Sequence, residues 1–110
     1  MYICRIYVII PDFTDIEGFD WNFANVHKLL KRHNVTTVEC EQAFFNEPFI
    51  VYDDPEHSIE EDRYYSLGVT NEYRHLTIIF TMRAHKIRPL SARPMTKSEV
   101  KYYEDIKKGS

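Results

Sequence analysis

Glycine is scarce, with three in 110 residues, so long disordered or low-complexity tracts are not expected and the chain should fold throughout. Cysteine is scarcer still. Cys4 and Cys40 stand far apart with no CxxC or Cys/His spacing, which argues against a disulfide framework or a zinc site and fits a reducing compartment. No apolar run approaches the ~20 residues of a membrane-spanning helix, so no membrane role is expected. The opening MYICRIYVII lacks a basic start, is interrupted by Arg5 and is followed by no small-residue cleavage site, so it does not read as a secretory signal. The expectation is a cytoplasmic protein. His27 and His33 lie six apart, on different faces of any helix, which rules out an i, i+4 metal pair, and neither metal nor cofactor is expected.

What the chain does contain is hydrophobic residues at 44% and aromatics at 15%, enough for one core in a single domain over residues 1–110. Its net charge of −3 hides an uneven distribution. Nine acids fall between Glu39 and Asp62 with no Lys or Arg, whereas seven bases between Arg74 and Lys101 meet Glu99 alone. Either the charges are scattered over solvated faces, or a basic anion-binding face lies beside an acidic one.

Residues 2–10 are β-branched and aromatic and stop at Pro11, which predicts a first strand. From Asn22 the spacing turns helical, with Val26, Leu29, Leu30 and His33 on one side and Asn34 suited to a left-handed end. Thr36-x-x-Glu39 is a capping box for a second helix, with Val35 and Cys40 placed as its hydrophobic staple. Strands are predicted at 49–53, 63–69, 76–82 and 86–90, joined by short turns as an antiparallel meander. A second capping box, Thr96-x-x-Glu99, opens a last helix whose Val100, Tyr103 and Ile106 or Lys107 form a docking stripe. The fold class is therefore α+β: an antiparallel sheet with two N-terminal helices and a C-terminal helix.

The RPLSAR stretch, Arg88 to Arg93, is the unusual part of this plan. With Ala84-His85 as a two-residue turn, Arg83 pairs with Lys86 and Thr81 with Arg88, which puts Arg83, Lys86 and Arg88 on one face. Ser91 and Arg93 would then point the other way. Pro89 cannot donate to a ladder, so it marks an edge strand or a bulge, and a bulge shifts parity by one residue. Guanidiniums match phosphate oxygens in pairs, so these arginines with Ser91 suit a phosphodiester, helped by Lys31, Arg32 and His33 from the first helix. The same arginines can instead serve as halves of salt bridges to the acidic block. His33 is the leading acid/base candidate, a tyrosine the next. Of Tyr102 and Tyr103, one should face the core and the other the basic face.

Taken in order, Trp21, Arg32-His33-Asn34-Val35, the Thr36–Ala43 helix ending in FF, Asn46-Glu47-Pro48, Glu60-Glu61-Asp62-Arg63 leading to Gly68, Arg83, the Ser-Ala-Arg that follows Arg88, Glu99 and Tyr103 form a known pattern. Over about residues 20–105 it resembles the BrnT family of toxins from bacterial type II toxin–antitoxin systems. The family's lysine and asparagine in the first helix fall on Asn25 and Leu29 here, and Pro89 replaces a β-branched residue. Residues 1–18 extend beyond the pattern as an N-terminal extension or extra strand.

The resemblance implies a RelE-like ribonuclease fold and a metal-independent endoribonuclease that cleaves RNA and blocks translation when free. It implies a BrnA-type antitoxin as partner, bringing a DNA-binding domain through which the complex represses its own promoter. Carried over by position, the catalytic set is Arg63, Arg88, Ser91, Arg93 and His33, with Lys31, Arg32, Arg83 and Tyr103 as RNA contacts. The rival reading is a non-catalytic interaction module that binds such a DNA-binding partner and acts in a repressor complex. DNA binding by this chain itself is disfavoured, since it has an acidic total and no helix-turn-helix signature.

Overall fold

The computed structural model describes residues 16–53 and 61–109. The strand expected at 2–10 lies outside the described residues. The rest follows the predicted order: α1 (Phe23–His33), α2 (Thr37–Phe45), β1 (Ile50–Asp53), β2 (Tyr64–Val69), β3 (His75–Arg83), β4 (Lys86–Pro94) and α3 (Lys97–Gly109). The four strands form one antiparallel sheet in the order β1-β2-β3-β4, and the class is α+β as expected.

Local chemistry accounts for the helix ends. The Asn22 side chain accepts from the Asn25 N–H at 2.9 Å, and Asn34 adopts the left-handed conformation at φ 54° to close α1. The capping box of Thr36 and Glu39 opens α2, with Val35 and Cys40 both buried in one cluster, as a staple requires. Thr96 and Glu99 reproduce the box at the start of α3, through Thr96 N–H to Glu99 Oε1 at 2.8 Å and Glu99 N–H to Thr96 Oγ1 at 3.2 Å.

Cross-strand partners share a face, so register sorts the sheet into two sides. One side carries Tyr64, Leu76, Ile78, Phe80, Ile87 and Ala92, and packs with Leu29 of α1 and Cys40 and Ala43 of α2. Gly68 is required on this side: a Cβ there would lie 2.9 Å from the Ala43 carbonyl oxygen, a backbone atom that cannot step aside. The other side is half covered by α3, whose Tyr103 packs with Ile50, Leu67 and Val69.

The free edge of β4 is partly closed by residues 17–20. Glu17 N–H donates to His85 O, Ile87 N–H to Gly18 O and Asp20 N–H to Ile87 O, with a parallel bridge between Phe19 and Ile87. Pro89 lies further along this edge, where no donor is needed.

Candidate active site

Ala84 and His85 form the two-residue turn, and both take positive φ, 48° and 66°. From there Arg83 pairs with Lys86, Met82 with Ile87, Thr81 with Arg88 and Phe80 with Pro89. The register then slips: Ile79 pairs with Ser91, Ile78 with Ala92 and Thr77 with Arg93, leaving Leu90 as the extra residue of a bulge. The slip reverses the parity of everything after it. Arg88, Ser91 and Arg93 therefore all lie on the side away from α1 and α2, with Arg83 and Lys86.

On this side the strands contribute aligned rows. Tyr52, Tyr65, Ile79 and Ser91 make one, and Ile50, Leu67, Thr77 and Arg93 the next. Thr81 and Arg88 make a third, beside which Thr81 Oγ1 donates to the Asp62 carbonyl at 2.7 Å and brings the backbone leading to Arg63 alongside. Arg88 and Arg93 are separated along the sheet by about 14 Å, four β3 residues at ~3.4 Å each. They form a line across Ser91 rather than a single clamp.

Each arginine of the line meets a carboxylate. Arg83 Nε is 3.3 Å from Glu61 Oε2, Arg88 Nη1 is 4.0 Å from Asp20 Oδ2, and Arg93 forms a two-pronged pair with Glu99 at 2.8 and 3.1 Å. Glu99 also accepts from Thr77 Oγ1 at 3.0 Å and from the Tyr65 hydroxyl, which Arg93 Nη2 approaches at 3.4 Å. The expected salt bridge to the acidic block forms at Arg83 through Glu61, whereas Arg93 pairs with Glu99 of its own basic stretch, which consumes much of its guanidinium. Among the described residues Lys86 has no carboxylate partner, and the cations on this side outnumber Glu61, Asp20 and Glu99.

Other expected site residues lie elsewhere. Lys31, Arg32 and His33 are exposed at the end of α1, but Leu29 seats that helix on the opposite side of the sheet. The carbonyls of His33 and Asn34 are held by Arg74 at 3.0 and 2.8 Å, which fixes this helix end away from the arginine line. Tyr103, expected to contact RNA, is fully buried and donates its hydroxyl to the Pro48 carbonyl at 2.7 Å, so it is a core residue. Its neighbour Tyr102 is the exposed member of the pair.

Residues that sequence reasoning did not place in the site are Tyr65, Glu99 and Tyr52. Glu99 was legible as a cap, but its bonds to Arg93 and Tyr65 required the sheet. Tyr52 stacks on Tyr65 with centroids 5.0 Å apart, and burial pushes its phenol up to about 12, with Tyr102 and Glu99 adding to the effect and Arg93 opposing it. Among the described residues no group of three or more His, Cys, Asp or Glu is arranged to hold a metal ion.

An antiparallel sheet with α1 and α2 on one side, and α3 beside a row of guanidiniums, a hydroxyl and phenols on the other, defines a small α+β domain. The family model of the BrnT ribonuclease toxin of type II toxin–antitoxin systems matches residues 21–99, and the chain belongs to that family. No curated protein matches it. No helix among the described residues is long and apolar enough to cross a membrane.

Proposed function

We propose that the protein is a cytoplasmic toxin that cleaves single-stranded RNA without a metal and is neutralised by a BrnA-type antitoxin, whose DNA-binding domain carries the complex to its promoter. The observation that carries the reading is the bulge at Leu90, which sets Arg88, Ser91 and Arg93 on one side of the sheet with Arg83 and Lys86. A line of cations suits a polyanion with regularly spaced phosphates.

The reaction is attack of a ribose 2′-OH on the adjacent phosphorus, breaking the bond to the leaving 5′-oxygen. Negative charge grows on the phosphoryl oxygens, and fixed donors aimed at them lower the barrier. Arg88 and Ser91 hold those oxygens, Arg63 and Arg93 flank them, and Arg83 guides the strand. With His33 across the sheet, Tyr65, whose hydroxyl lies between Glu99 and Arg93, gives a proton to the leaving 5′-oxygen and regains one from solvent, while the 2′-OH proton passes to water. A 2′-OH nucleophile accounts for RNA over DNA.

Cleavage of RNA by the free protein in excess EDTA tests the reading, and loss of activity there overturns the metal-free mechanism. Arg88→Ala should cost at least ~100-fold in rate, against no change for Lys107→Ala. Equal small losses would remove the site assignment.

One observation favours the non-catalytic alternative. At the family's lysine and asparagine positions, Asn25 is neutral and its Nδ2 binds the Pro89 carbonyl at 3.1 Å, and Leu29 is buried in the core, so neither position offers RNA a cation. Growth arrest on expression without the partner, relieved by a neighbouring gene product, separates the two readings.

A further inference from the structure

Next to Arg93 lies a cleft of ≈190 Å³ lined by Tyr52, Leu67, Ser98, Glu99 and Tyr102. It is smaller than the ~300 Å³ at which drug-sized pockets begin, which suits one flat ring system and not a larger ligand. Leu67, fully buried, forms its apolar floor. Tyr52, already stacked on Tyr65, and Tyr102, 45% exposed, give it an aromatic lining. Helix phase puts Tyr102 there: Ser98 and Glu99, four and three residues before it on the same face of α3, line the same cleft.

We propose that this cleft is a nucleobase subsite, which stacks the base of the nucleotide whose phosphate lies at the Arg93 end of the cationic line. The inference rests on the ribonuclease reading and deepens it. Stacking on aromatic side chains is the usual way in which single-stranded RNA is gripped, because every base has a π-face. Glu99 does not read the base edge. Its oxygens already accept from Arg93, Tyr65, Thr77 and the Thr96 N–H. The polar groups left to meet an edge are the hydroxyls of Ser98, Tyr52 and Tyr102. The subsite therefore takes any base, holds purines better through their larger face, and contributes affinity more than sequence selection.

The test uses the full chain and short single-stranded RNA oligonucleotides, intact or with one abasic ribonucleotide at successive positions around the cleaved bond. Tyr102→Ala should raise KM about tenfold on intact RNA with kcat within twofold, the loss of roughly one stacked base. An abasic residue at one position should impose the same loss on the wild type and no further loss on Tyr102→Ala. Tyr102→Phe and Tyr102→Trp should restore the wild-type KM. If Tyr102→Ala raises KM on abasic RNA above that of the wild type on the same RNA by as much as it does on intact RNA, or changes neither, the subsite is overturned. If the wild type binds these oligonucleotides without cleaving them, the cleavage reading fails alone, and the same comparison of Kd values decides the subsite. A wild type that neither binds nor cleaves overturns both.

Discussion

Arg93 and Glu99 face each other across the junction of β4 and α3 as a two-pronged pair at 2.8 and 3.1 Å, and the same carboxylate caps α3 through the Thr96 N–H. One side chain thus fixes the helix start, the guanidinium and the Tyr65 hydroxyl together. Glu99→Gln keeps a cap but loses the charge and should cost about 1–2 kcal/mol. Glu99→Ala loses both and should cost about 3 kcal/mol. Lys101→Ala, which breaks only the exposed pair to Asp105, should stay within about 0.5 kcal/mol. Urea unfolding compares the three, and equal effects would show that the Glu99 contacts contribute nothing beyond a surface pair.

Leu90 is the residue that reverses strand parity. Deleting it should return Ser91 and Arg93 to the side packed by α1 and α2, driving a guanidinium into the cluster of Leu29, Ile78 and Phe80. The expected outcome is loss of the cooperative thermal transition followed by circular dichroism. A deletion variant with wild-type Tm and cleavage would show that the bulge does not set the site.

The turn at Ala84 and His85 places two residues with Cβ atoms at positive φ. Asparagine and glycine adopt that conformation with less strain, so Ala84→Asn with His85→Gly should stabilise by about 1 kcal/mol and raise Tm by about 5 °C. Calorimetry gives the answer, and an unchanged or lowered Tm would contradict it.

Two buried groups make stability fall at alkaline pH. Burial raises Cys40 from 9.0 to about 12, with Glu39 and Glu41 adding to it, and Tyr52 rises from 10.0 to about 12. Both pKa values are higher folded than unfolded, so their stabilisation is complete below the ordinary values and is lost as pH rises toward 12. Unfolding free energy should fall across that window, and the phenolate absorbance of the folded protein should include one late titration that Tyr52→Phe removes. Glu39 works in the opposite sense. Burial raises it, but the Thr36 N–H and Arg74 outweigh burial and leave it below 4.5, so its contribution is present above that value and is lost as pH falls.

Much of this molecule is legible in short stretches of chain. Asn22, Asn34 and the two Thr-x-x-Glu boxes mark helix ends because capping depends on groups within a few residues, and the Ala84-His85 turn fixes the pairing of Arg83 with Lys86 for the same reason. The family pattern is also a matter of residue order. Three features were not legible, because each depends on contacts between distant segments. The slip at Leu90 exists only relative to β3, and it alone decides that Arg88, Ser91 and Arg93 share a side. Burial of Leu29 in the cluster that holds Ile78 and Phe80 places His33, Lys31 and Arg32 across the sheet from that line. The docking of α3 chooses Tyr103 for the core and Tyr102 for the cleft. The sequence by itself determined the elements and the supply of cations, since these follow from local bonding and composition. Only the tertiary structure decided which side chains meet, because a side chain's direction is set by the register and burial of the strand or helix that carries it.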